Sequence, residues 1–224
     1  MPKLLIYSCV TGGYDSVLNS LFASVVEPGV SYVLYTDDKV SVDSAWEVRP
    51  LMWRHPLCRR RTARWHKVNS HLVCGDFEHT LWIDGSQRIK AAGLLDSLPR
   101  WYGDYALASF KHPERTCVYQ ELQACRQLLK DNSELMRQQV GTYRASGYPP
   151  FNGLAETACV LRKSTAEIVQ FNAAWWRELA EWSYRDQLSF NCVAHRFGLQ
   201  YGVIPGCRSY SPFFEYVPHG GVRA

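Results

Sequence analysis

The chain has 224 residues, 46% of them hydrophobic, enough for one domain with a sizeable core. Its net charge of +4 is too mild to mark a general polyanion binder. No apolar stretch approaches the roughly 18 residues of a membrane span. No signal peptide precedes Leu4, and the eight cysteines are widely spaced without a CxxC, unlike a zinc knuckle or small disulfide scaffold. Buried free thiols in a reducing, cytoplasmic setting are the expectation.

Leu4 to Val10 is an apolar run that stops at Thr11-Gly12-Gly13, a strong turn signal. Leu18, Leu21, Phe22 and Val25 recur at helical spacing, and Val30 to Tyr35 reads as a second strand closed by Thr36-Asp37-Asp38. Strand, helix, strand in this order predicts a βαβ unit and a parallel sheet. Trp46 to Val48 predicts a short strand, and Arg60 to Val73 a helix. Thr80-Leu81-Trp82-Ile83 reads as buried sheet and ends in Asp84-Gly85-Ser86.

Tyr105 to Phe110 predicts a further strand, preceded by a loop rich in Pro, Gly and Trp. Glu114 to about Leu129 and Ser133 to Tyr143 read as helices, with Asp131-Asn132 suited to cap the second. After the loop Gly147 to Gly153 come a strand at Thr157 to Leu161 and a helix at Thr165 to Trp182. A final helix is expected from Arg185 to Phe197. The chain is expected to form one domain over 1–224, with 205–224 a flexible C-terminal segment that either wraps over the site or is partly disordered.

In open α/β sheets ligands bind at the carboxyl ends of the strands, where Asp84 falls. A carboxylate there suits Mg2+ or Mn2+ carrying a phosphorylated substrate, because hard cations take oxygen ligands and a diphosphate brings its own. Ser86 has the spacing to point the same way and to hold a water or phosphate. Asp37 and Asp38 suit the hydroxyls of a ribose, against the plainer reading of turn chemistry. Thr11, Gly12 and Gly13 let backbone approach a nucleotide, with Tyr14 placed to stack on a base, but match neither GxGxxG nor a Walker loop.

Arg61, Arg64 and Lys67 are three apart, so they line one helical face, and a diphosphate among them would relieve their repulsion. Asp186 is a candidate base or stabiliser of positive charge at the reacting carbon, and Glu156 competes for that role. His112 follows a strand in a site-like position, and His219 is a candidate late metal ligand from the tail. The absence of a GxSxG elbow argues against an esterase.

Together these stretches resemble the glycosyltransferase-like domain family long catalogued as a domain of unknown function, with plant members linked to cell-wall polysaccharides. The likeness rests on Thr11 to Asp15, Tyr35 to Asp38, the Arg61, Arg64 and Lys67 helix, and Leu81 to Gly85. It continues through His112 to Arg115 with Cys117, Tyr119 to Glu121, Gly147 to Pro149, and Arg185 to Phe190. It implies a GT-A type α/β fold that binds nucleotide sugars, with a mainly parallel central sheet flanked by helices. It further implies metal-dependent transfer of a sugar from a nucleotide diphosphate sugar to a hydroxyl acceptor, inverting or retaining. Asp84-Gly85-Ser86 stands where such enzymes carry Asp-x-Asp, and departs from it at the third position. Asp186 would be the acid near donor sugar and acceptor, and His219 the late metal ligand. The rival readings are a non-catalytic carbohydrate- or nucleotide-binding protein on this scaffold, and a nucleic-acid-associated base glycosyltransferase using the basic stretch Arg49 to Lys67.

Overall fold

The computed structural model describes residues 3–40 and 43–219. Its strands are β1 (Leu4–Val10), β2 (Val30–Thr36), β3 (Trp46–Arg49), β4 (His79–Ile83), β5 (Gln87–Ile89), β6 (Leu107–Lys111), β7 (Ala155–Lys163), β8 (Gly202–Ile204) and β9 (Phe214–Tyr216). The helices are α1 (Arg59–Val68), α2 (Ser70–Val73), α3 (Leu94–Tyr102), α4 (Val118–Gln127), α5 (Ser133–Ala145), α6 (Ala166–Glu181) and α7 (Phe190–Arg196). Seven strands form one sheet in the order β3-β2-β1-β4-β7-β6-β8. Its pairs are parallel except where β7 runs antiparallel to β4 and β6. The fold is therefore α/β with a mostly parallel central sheet flanked by helices, as the sequence predicts.

Alternation along the central strands fills both faces of the sheet. Leu4, Ile6, Leu81 and Ile83 pack on one side against Leu94, Leu98 and Trp101 of α3. Leu5, Tyr7 and Trp82 pack on the other against Phe171, Trp175 and Leu179 of α6. Burying both faces is what makes β1 and β4 read as unbroken apolar runs. The helical tryptophan Trp175 belongs to this core. A third cluster joins α4 and α5 through Leu122, Met136, Val140 and Tyr143. No helix among the described residues is long and apolar enough to cross a membrane.

Several elements differ from their sequence reading. The helix expected from Leu18 to Val25 is only a 3-10 turn, Leu21–Ala23. Serine side chains divert the backbone here: Ser20 donates to the carbonyls of Ser16 and Gly85, and Ser24 accepts from Ile89 N–H. The loop expected before β6 contains α3, whose first N–H groups at Gly93, Leu94 and Leu95 all donate to the Glu27 carboxylate. A distant cap of this kind leaves no local signal. The helix expected from Arg185 to Phe197 is split at Ser189 into a 3-10 turn, Asp186–Leu188, and α7. Asn132 caps α5 as expected, accepting from Leu135 N–H at 2.9 Å.

The tail contributes a strand that its composition hides. β9 pairs antiparallel with β5, directly after the Asp84 turn, and Val217 N–H donates to the Ser86 carbonyl. This carries the chain to His219 beside the strand tips; residues 220–224 lie outside the described residues.

Candidate active site

β1, β2 and β4 run parallel, so Thr11, Asp37 and Asp84 leave the sheet at one end. β7 enters there from the opposite direction, and its Ala158 carbonyl receives Asp84 N–H at 2.8 Å. Glu156 therefore lies at the same end as Asp84.

Asp84 is held from inside. Its Oδ1 accepts from Trp82 Nε1 at 2.7 Å and from Lys67 Nζ at 3.2 Å. Lys67 is fully buried, and its ammonium also contacts Asp186 Oδ2 at 2.5 Å. Asp186 accepts from Thr157 Oγ1 at 2.9 Å, and Arg64 Nε lies 3.5 Å away. Burial alone would raise the Asp186 carboxyl, but Arg64, Lys67 and Arg185 overcome it and hold the group far below the usual carboxylate range. A carboxylate so stabilised is a poor proton acceptor. It orders the cations around it and adds fixed negative charge.

Glu156 has the opposite character. Burial raises its carboxyl, opposed by the N–H it receives from Arg208 at 2.6 Å and by the Arg208 charge, while Asp84 and Glu121 raise it further. A half-buried carboxylate of raised basicity at the rim suits proton abstraction.

The structure brings Asp84, Lys67, Arg64, Asp186 and Glu156 into one neighbourhood. Arg61 is used elsewhere: it donates to the carbonyls of Leu179, Ala180 and Trp182 at the C-terminal end of α6. The repulsion expected along this helical face is thus relieved within the protein, by Asp84, Asp186 and the free carbonyls of α6. Of the rest of the basic stretch, Arg49 is occupied by Glu47, Arg54 by Asp37 and Arg60 by Tyr184.

Asp37 and Asp38 accept from Gly12 N–H at 2.9 Å and Gly13 N–H at 2.8 Å, fixing the glycine turn beside β2. Both glycines have positive φ, and the side chain of Arg59 lies against Gly12. Thr11 Oγ1 reaches the Arg59 carbonyl at 3.5 Å. Tyr14 is exposed, with its ring 4.8 Å from that of His219. Ser86 is buried. His112 is buried as well; its Nδ1 accepts from Glu114 and Arg115 N–H, and burial with the neighbouring Arg115 lowers its basicity. It organises the loop after β6.

The sequence reading gave no role to Asp15, Arg185 or Arg208. Asp15 pairs with His219 Nδ1 at 2.5 Å, and burial, opposed by His219, raises its carboxyl. A Cβ on Gly85 would fall within 2.6 Å of Asp15 Oδ2, so only glycine lets the β1 and β4 turns meet. The signal for Asp15 was its place just after Gly12-Gly13, at a strand's carboxyl end. Arg208 carried no signal, since only the fold of the tail brings it to Glu156. Among the described residues, Nε of Arg64, Arg185 and Arg208 are buried without a hydrogen-bond partner, Arg64 Nε having only the longer ion-pair contact to Asp186. Such donors demand an acceptor.

Among the described residues no three His, Cys, Asp or Glu side chains are grouped to hold a metal ion on their own. Asp15 lies within electrostatic reach of Asp84 and pairs with His219, and both side-chain hydrogen bonds to Asp84 fall on Oδ1. That set fits Mn2+ or Mg2+ only in part, with the remaining oxygens coming from a ligand.

Residues 45–205 match the family described as TOD1/MUCI70, glycosyltransferase-like domain. The chain belongs to this family. Mouse xyloside xylosyltransferase 1 in its apo form has a similar fold, with a TM-score of 0.51 and 10% identity over 91% of this chain and 85% of that one. At that identity the likeness is one of fold alone. Comparison with curated proteins gives no match. The TOD1/MUCI70 domain thus places its candidate site at the sheet end where α/β folds bind ligands.

Proposed function

We propose that this TOD1/MUCI70 domain is a glycosyltransferase moving a sugar from a nucleotide diphosphate sugar to a hydroxyl acceptor, with the whole chain acting as one catalytic unit. The observation that supports it is the convergence at the strand tips of Arg64, partly exposed and paired through Nε with Asp186 at 3.5 Å, with Lys67 and Asp84. A diphosphate would give the partly exposed Arg64 guanidinium a second anionic partner, and a charge-assisted bond there strengthens as negative charge develops on the leaving group. The Thr11-Gly12-Gly13 turn, braced by Asp37 and Asp38, offers backbone to the nucleoside, with Tyr14 at its rim.

A divalent cation, when bound, neutralises diphosphate charge. Asp84, Asp15 and His219 are the residues we assign to hold it, jointly with the donor. Glu156 is the group of this chain suited to accept the acceptor's proton. Asp186 acts through its charge and through its hold on Lys67 and Arg64. The segment 205–219 straps the site by way of Arg208 and Val217.

Thermal shift with a panel of nucleotide diphosphate sugars, each with and without manganese, tests this reading. Stabilisation by at least one donor, larger with manganese, is expected. Indifference to every nucleotide diphosphate would remove the donor site.

A further inference from the structure

α4 faces two ways. Its inner side carries Glu121, paired with Arg115 at 2.7 Å and 3.9 Å from Arg185, next to Asp186. Its outer side forms, with α5, a groove of about 340 Å³ lined by Tyr119, Leu122, Arg126, Arg137, Gly141 and Arg144 among others. The floor is apolar at Leu122 and Val140, and Gly141 leaves it open, since a Cβ there would meet nothing within 4 Å.

The walls are cationic. Arg144 has no acid partner among the described residues and lies over the Tyr119 ring at 4.7 Å. Arg126 uses only Nε, donating to Ser133 Oγ at 2.9 Å. Arg137 is paired with Glu134. Arg126 and Arg144 thus present exposed guanidiniums at opposite ends of the groove, the first near Glu134 and the second against Tyr119. Tyr119 Oη donates to the Tyr148 carbonyl at 2.6 Å, tying the Arg144 end to the loop 147–153. That loop leads into β7 and Glu156, and it carries Phe151, 70% exposed at a φ of 57°.

We propose that this groove is an exosite for an acidic glycan, a chain of sugars bearing carboxylate or sulfate. It would run from the Glu156 rim past Phe151 onto Tyr119 and Arg144 and then Arg126. Sugar rings match the apolar floor and aromatic faces, and ring-borne anions match the planar donors of arginine. Its role as the acceptor side rests on the transferase reading; the binding itself does not.

Binding is measured by calorimetry for a hexasaccharide of uronic acids, an uncharged hexasaccharide, inorganic phosphate and single-stranded DNA. Full-length wild type is compared with the double variant Arg126→Gln, Arg144→Gln and with Gly141→Leu, which fills the groove without changing charge. The expected result is binding of the acidic hexasaccharide in preference to the other three, about tenfold weaker in both variants, a loss of the size of one charge-assisted contact. Equal binding by wild type and both variants would overturn the exosite. Preference for DNA or for phosphate would overturn the glycan assignment. Donor thermal shift on the same proteins separates the two readings: it must survive in both variants, and its absence from wild type sinks the transferase reading while leaving the groove's result intact.

Discussion

Lys67 Nζ sits 2.5 Å from Asp186 Oδ2 and 3.2 Å from Asp84 Oδ1, one buried ammonium joining a residue of α1 to two carboxylates from distant parts of the chain. Lys67 lies seventeen residues before Asp84, yet packing makes them neighbours. Removing one member of a buried ion pair costs more than the pair contributes, because the remaining charge keeps its desolvation penalty. Lys67→Met should therefore destabilise the fold by about 3–5 kcal/mol, read from urea unfolding. A loss under 1 kcal/mol would mean that the lysine is not compensating Asp186. Since the Asp186 carboxyl is held low, its contribution is complete above about pH 4, the unfolded aspartate value, and fades only as pH falls below it.

Glu156 should behave in reverse. Its carboxyl is raised in the folded state, so ionisation costs stability at neutral pH, and the cost shrinks as pH falls below the folded value and is gone below the ordinary unfolded glutamate value. Glu156→Gln keeps an acceptor for the Arg208 N–H and should raise Tm at pH 7 while abolishing sugar transfer. In the native protein the rate of transfer should rise with pH above the ordinary glutamate range. Undiminished turnover in Glu156→Gln would return the base role to another group.

His66, beside Lys67 on α1, provides an acid switch in stability. It is fully buried, its Nδ1 lies 2.9 Å from the Thr62 carbonyl, and its Nε2 accepts from Met52 N–H at 3.1 Å. Burial lowers its pKa to about 4, opposed by the Thr62 contact. The unfolded chain takes up this proton first, so stability should fall by roughly 3 kcal/mol as pH drops from 6.5 to 4. His66→Gln should flatten that part of the pH–stability curve. An unchanged slope would place the transition on other groups.

Gly85 permits the approach of two strand turns. In Gly85→Ala the new methyl would lie within 2.6 Å of Asp15 Oδ2 and closer still to Val10 Cγ2. A cost of about 1–3 kcal/mol is expected from overpacking, with weaker donor-induced stabilisation as Asp84 shifts. Wild-type unfolding and wild-type donor response in this variant would contradict the close approach.

Cation binding should be conditional. No group of three protein ligands among the described residues is formed for a metal, so Mn2+ alone should bind weakly by electron paramagnetic resonance titration. A nucleoside diphosphate should tighten it more than tenfold, and Asp15→Asn and Asp84→Asn should each reduce that gain. Tight Mn2+ binding without nucleotide would reveal ligands other than those assigned here.

Local chemistry sufficed for the strands β1, β2 and β4, whose buried runs are mainly apolar and end in turns carrying Gly or Asp, and for the apolar centre of β7. It also sufficed for the acid at the tip of β4, for the α5 cap at Asn132, and for the family to which the shared motif order pointed. Tertiary structure alone decided how charge is distributed. Arg61, Arg64 and Lys67 are equivalent by spacing, yet one caps α6, one pairs with Asp186 alone and one is buried between two carboxylates. Helical periodicity fixes which residues share a face, whereas the partner across that face comes from remote segments. The same holds for α3, whose cap is Glu27, and for β9, whose partner is β5. Asp15, Arg185 and Arg208 acquire their surroundings only when β1, the Asp186 turn and the tail meet at one end of the sheet.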